Sequence, residues 1–264
     1  VWLIYTVHGL VPLAAASAAT GWRADSLRPS DSWNTFSVDM TVSRRHLDVS
    51  GTAVGVPVPT TSYHIERSVR SGAWKTVVTV VAIDRAPLHA LSGTLTPPGA
   101  LPVARIEDDE DGTPVRAYDA SGRSLTPFGA SAGLPSATVN LPRSNGREWL
   151  EAFVATSAKK TLRLQTLERR FGHGARTGSW NRYARRDADL SEEVLVDSTT
   201  VVPVEVNHTR NGQRLVHRTF SYGAAPGDAV VRTAVHAEVP TTPDGPDRTV
   251  IDTAFSNIRL EQRR

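Results

Sequence analysis

No cysteine occurs anywhere in the 264 residues, which excludes disulfides, thiolate metal sites, a cysteine nucleophile and an anchor built on a lipidated cysteine. That absence permits an oxidising compartment without requiring one. The zinc-protease pattern H-E-x-x-H, the phosphate-binding glycine loop and the dinucleotide glycine fingerprint are also missing, so neither catalysis nor a cofactor is expected. Aromatic residues make up only 6% of the chain, and no dense Lys/Arg block is interleaved with them. With a net charge of only +3, nucleic acid is not an expected partner. What is present, 39% hydrophobic and 22% charged residues, suits a soluble globular protein and not a disordered one. The length accommodates one large β domain or two small ones.

Charge is likewise absent from residues 1–19, a mostly apolar stretch ending near Ala16-Ser17-Ala18, an A-x-A pattern of the kind signal peptidases cut. Residues 1–18 are therefore expected to be a signal peptide. Residues 19–264 would form a single domain, periplasmic or secreted, behaving as a monomer.

The rest of the chain reads mainly as β structure with one strong helix, a mainly β (α+β) class. Residues 32–43 alternate, with Phe36, Val38 and Met40 on one face and polar residues on the other. Residues 62–69 and 73–83 make a hairpin about Ser71-Gly72, and the run Val77, Val78, Val80, Val81 predicts heavy coverage of its second strand. Residues 103–106, 114–118 and 123–126 predict three short strands. The acidic run from Glu107 to Asp111 lacks the closing glutamate of a calcium loop, since Tyr118 stands at that place, and reads as a solvated hairpin tip. From Asp189 onward, strands and turns alternate to the end of the chain as a meander. Asn211-Gly212 is its clearest signal, because a type I′ turn needs positive φ at both central residues.

The helix is expected from Arg147 to Phe171, stopped by Gly172, with a second short one over residues 21–29. Residues 150, 153, 154, 157, 161, 164, 167 and 171 form its inward stripe. That stripe either packs on the sheet as plain core or lines an apolar gap. In the second case Trp149, Phe153, Val154 and Leu162 face Phe36, Val38 and Met40 across a ligand cavity. His208, His217 and His236 could also meet on one sheet face, but their expected state is that of ordinary sheet residues holding no metal.

Glu193-Val194-Leu195-Val196-Asp197, a turn, and then Val202-Pro203-Val204-Glu205-Val206 resemble the tail of the periplasmic lipoprotein-carrier superfamily, the LolA-like outer-membrane lipoprotein-sorting proteins. Phe220-Ser221-Tyr222-Gly223 and the closing Phe255-Ser256-Asn257-Ile258-Arg259-Leu260 are similar to it too, and the likeness covers about half the chain. The resemblance implies a curved, incomplete antiparallel barrel, a half-barrel with a long helix packed on its concave face. It also implies a lipid-binding cavity for lipid or lipoprotein acyl chains and a membrane protein as a further partner. The alternative is an interaction or sensing module of the same fold with a filled core.

Overall fold

The computed structural model describes residues 33–55, 60–70, 73–84, 105–108, 114–119, 121–124, 154–157, 160–225, 229–242 and 245–262. Strands β1 (Trp33–Leu47), β2 (Thr60–Arg70), β3 (Ala73–Asp84), β4 (Arg105–Asp108) and β5 (Pro114–Tyr118) come first. The short β6 (Val154–Ala155) and the helix α1 (Lys160–Phe171) follow. The chain continues through β7 (Ala175–Thr177), β8 (Trp180–Asp187), β9 (Leu190–Asp197), β10 (Pro203–Arg210), β11 (Gln213–Ala224), β12 (Val230–Pro240) and β13 (Arg248–Gln262).

All 13 strands belong to one sheet in the order β5-β4-β3-β2-β1-β13-β12-β11-β10-β9-β8-β7, with β6 alongside β12. Every pairing is antiparallel. Among the described residues β5 and β7 do not pair with each other, so the sheet is open. Along that main path each neighbour is also a neighbour in sequence except at the centre, where β1 lies against β13 from Trp33↔Gln262 to Leu47↔Arg248. The fold is thus two meanders, β1–β5 and β7–β13, joined along one long seam.

The seam carries a fork. Between Ser37 and Asp39 the register with β13 shifts, and Asn257 adopts a left-handed φ of 51° while its side chain donates to Asp39 Oδ2 at 2.6 Å. A short amide side chain tolerates that conformation better than a bulky one. β12 and β13 pair only as far as Ala234↔Ala254. Beyond that point β13 follows β1, and the edge of β12 at Val230 and Val231 is taken by β6.

The helix is shorter than expected. Residues 154 and 155 are strand, and α1 begins at Lys160. The backbone of Val154-Ala155 pairs with that freed edge of β12, a tertiary demand that helical periodicity cannot register. Within α1 the expected stripe persists in part, as Leu164, Leu167 and Phe171 packed against Tyr183, Val194, Val196, Val201 and Val206 of the second meander, while Ser157 and Thr161, expected on the same stripe, are exposed. Gly172, at φ 80°, ends the helix by donating its N–H to the Glu168 carbonyl, with Arg169 and Arg170 in the last turn. The expected helix over 21–29 and the first part of the expected long one, 147–153, lie outside the described residues.

Two more expectations need correction. Val81 is not covered but 64% exposed, because β2 and β3 shift register between Ser62 and Tyr63 and leave Val81 as the extra residue of a bulge. Of the strand expected over 123–126, residues 123 and 124 show a single bridge, Tyr118↔Ser124, and residues 125 and 126 lie outside the described residues. Asn211 and Gly212 do take positive φ, 50° and 79°, at the turn closing β10 onto β11.

Candidate functional site

One face of the sheet is apolar and covered. Phe36, Val38 and Met40 project from β1 into a cluster with Val42, Tyr63, Ile65, Val78, Val235 and Phe255. A second cluster forms where α1 lies on β8 to β10. Phe220 packs against both and marks their boundary. Of the helix residues expected opposite β1, Trp149 and Phe153 lie outside the described residues, and Val154 belongs to β6 instead of a helix. Leu162 is 45% exposed on the outer side of α1, so it lines no gap between helix and sheet.

What sequence reading missed on this face is its arginines. Arg163 of α1 is buried and donates to the carbonyls of Thr156, Thr200 and Val201, so its charge is met by three backbone dipoles. Arg170 donates to both carboxylate oxygens of Glu192 at 2.7 Å. His208 Nε2 stands 3.2 Å from Glu192 Oε1. Burial raises the Glu192 pKa, but His208 and Arg170 outweigh it and hold the carboxyl below its ordinary value.

Arg218 and Arg232 are different. Arg218 pairs with Val206 on one side and Ala237 on the other, and neither offers an acceptor side chain. The Arg232 guanidinium lies 4.5 Å from the centre of the Phe220 ring and 5.8 Å from that of Tyr222. Its Nη2 reaches the Tyr222 hydroxyl only at 3.4 Å, and that hydroxyl itself donates to the Pro203 carbonyl at 3.0 Å. The buried Nε of Arg232 has no hydrogen-bond partner among the described residues. Burial, followed by the nearby Arg232 charge, pushes the Arg218 pKa down to about 10, which still leaves it cationic at neutral pH. Arg218 lies two residues from Phe220 on the same covered face of β11, and the Arg232 guanidinium lies over the Phe220 ring, so the two buried cations flank one aromatic side chain.

The three histidines do not gather. A bulge between His208 and Thr209 sets His208 opposite Val216 and Asn207 opposite His217, so His208 turns to the covered face and His217 to the outer one. His217 and His236 remain on the outer face with ring centres 6.5 Å apart, His217 Nε2 3.4 Å from Glu205. The acidic neighbours of His208 and His217, Glu192 and Glu205, come from adjacent strands, which is why proximity in sequence gave no sign of them.

His236 Nδ1 lies 2.6 Å from Asp252 and Nε2 3.3 Å from Glu238. Burial lowers its pKa, but these two carboxylates more than reverse that and raise it above the ordinary 6.5. A histidine with a raised pKa adds stability that is fully present below pH 6.5 and is lost as pH rises through the folded value. NMR titration of His236 is expected to give a midpoint above 6.5 that falls on Glu238→Gln. An unchanged midpoint in that variant would show that Glu238 takes no part.

One pattern qualifies the reading of the sequence as free of catalytic motifs. Gly129-Ala130-Ser131-Ala132-Gly133 matches G-x-S-x-G. A nucleophile elbow needs that serine on a sharp turn from a strand into a helix. The stretch lies between Pro127 and Pro135 and outside the described residues, and it carries no assignment. The acidic run's first residue, Glu107, is not solvated but buried, with Arg105 at 2.7 Å; residues 109–113 lie outside the described residues. Comparison with models of known protein families and with curated proteins finds no match to this chain.

Proposed function

We propose that this protein is an exported carrier that holds acyl chains against the apolar face of a half-barrel sheet and does not transform them. The observation that carries the reading is the continuous apolar face from β3 across β2, β1 and β13 to β12, away from the strands on which α1 lies. A sheet of this many strands rarely stays open without curling, splitting or flattening, and a curled sheet presents a concave face. Such a face, with few polar groups, suits alkyl chains, whose transfer from water is favourable in proportion to the apolar area removed.

The second reading is an interaction or sensing module of the same fold with a filled core. It draws on the same residues, since Phe36 and Val38 have no exposed surface. Delipidated protein titrated with a fluorescent fatty acid separates the two. The carrier predicts saturable binding near one ligand per chain, and absence of binding gives the filled core instead.

A further inference from the structure

We infer that Arg218 and Arg232 receive the anionic head group, carboxylate or phosphate, of an amphiphile whose acyl chain lies along the apolar face. This rests on the acyl-chain reading above and adds the chemical class of the ligand.

Two arginines of α1, Arg163 buried and Arg170 half-buried, have their charge met by the protein itself. Arg163 has three carbonyls, and Arg170 has both oxygens of Glu192. Arg218, at 9% exposure, has no hydrogen bond or ion pair among the described residues, and it shares a face of β11 with Phe220, over whose ring the Arg232 guanidinium stands. Arg232, at 7% exposure, has one long hydrogen bond to Tyr222 and a buried Nε without a partner. A guanidinium carries five N–H donors in a planar fork matched to carboxylate and phosphate oxygens.

Burying an unpaired charge is costly, and here two of the same sign flank one aromatic ring. An arrangement that opposes stability in this way is expected where a ligand completes it. A single anion between the two guanidiniums would neutralise their repulsion and accept charge-assisted hydrogen bonds from both.

Position supplies the other half. The Arg232 guanidinium stacks over Phe220, the residue shared by the two apolar clusters, and Phe220 pairs with Val235 of the larger one. An anion held there would be contiguous with the apolar face running toward Phe255 and Met40. A head group at the arginines and a chain on that face describe one molecule.

The test uses the delipidated full chain and three probes: palmitate, hexadecanol (the uncharged alcohol of equal chain length) and inorganic phosphate. Each is titrated by calorimetry into the wild type, Arg218→Gln and Arg232→Gln. Palmitate is expected to bind at least about tenfold more tightly than the alcohol, the scale of a charged hydrogen bond in a buried site. Either substitution should remove that preference and leave alcohol binding unchanged. Without ligand, both variants should melt no lower than the wild type, because a buried charge without an acidic partner has been removed. Equal affinity for acid and alcohol in the wild type would overturn the head-group inference while the acyl-chain reading stood. Binding of neither chain would overturn the reading itself. Phosphate binding lost in both variants, with no chain bound, would support an anion site and overturn the amphiphile. Variants that melt lower yet keep the preference for acid would make the arginines structural and overturn the inference.

Discussion

Replacement of Arg163 by methionine is expected to cost about 3 kcal/mol or more of folding stability, the scale of losing hydrogen bonds between a charged donor and buried acceptors. Arg163 is 1% exposed, and it donates from Nε to Val201 O at 3.2 Å, from Nη1 to Thr156 O at 2.8 Å and from Nη2 to Thr200 O at 2.6 Å. Methionine fills much of the same volume but leaves these carbonyls without that donor.

The loss spreads because of where those carbonyls sit. Thr200 and Val201 belong to the turn between β9 and β10, which Asp197 also braces by accepting from the Thr199 and Thr200 amides. Val201 is buried at a φ of 56°, a conformation a β-branched residue seldom adopts. Such a backbone costs on the order of 1–3 kcal/mol and persists only while its surroundings over-determine it. Arg163→Lys is expected to recover only part of the loss, because one ammonium cannot face three acceptors spread around a planar fork. Urea denaturation reads the effect directly. An unchanged midpoint in Arg163→Met would mean that the carbonyls find other donors and that the brace is dispensable.

Phe36→Ala is expected to be comparably severe, about 3–5 kcal/mol. Phe36 has no exposed surface and lies at the centre of the sheet, opposite Arg67 on β2 and Leu260 on β13. A cavity there touches both meanders, so neither can collapse to fill it without disturbing the seam. Val81→Ala is the matched control: a similar apolar residue, but one held out in a bulge, where the change should stay within about 0.5 kcal/mol. Equal melting shifts for the two variants would contradict this placement of the core.

These contrasts mark what the sequence discloses. Alternation placed Phe36, Val38 and Met40 on one face of β1, and Asn211-Gly212 located a turn, because both signals are local. Strands β7 and β8 escaped notice. Tyr183 is the one fully buried residue of β8, and a strand so polar has no alternation to read. The side to which a histidine turns depended on a bulge at His208, which no local signal announces. Arg218 and Arg232 looked like ordinary polar members of their strands, since burial of an arginine is decided by what covers the sheet. Most remote from the sequence was the pairing of β1 with β13, which depends on the whole topology and on no single residue.

That seam has a consequence for how the protein is made. Arg45 and Asp252, bonded across it, are 207 residues apart in the chain. At a synthesis rate of about 5–20 residues per second, β1 waits roughly 10–40 s for the strand that will cover its free edge. Meanwhile β2 can guard the other side, but Phe36, Val38 and Met40 stand beside a row of unpaired backbone groups, the template on which strange strands add. The vulnerable period of this molecule therefore falls before it is finished, and a holding chaperone has its natural target in the first strand. A permuted chain opened between β5 and β6, so that β13 runs directly into β1, would make all twelve strands of the main path sequential and shorten the wait to that of an ordinary hairpin.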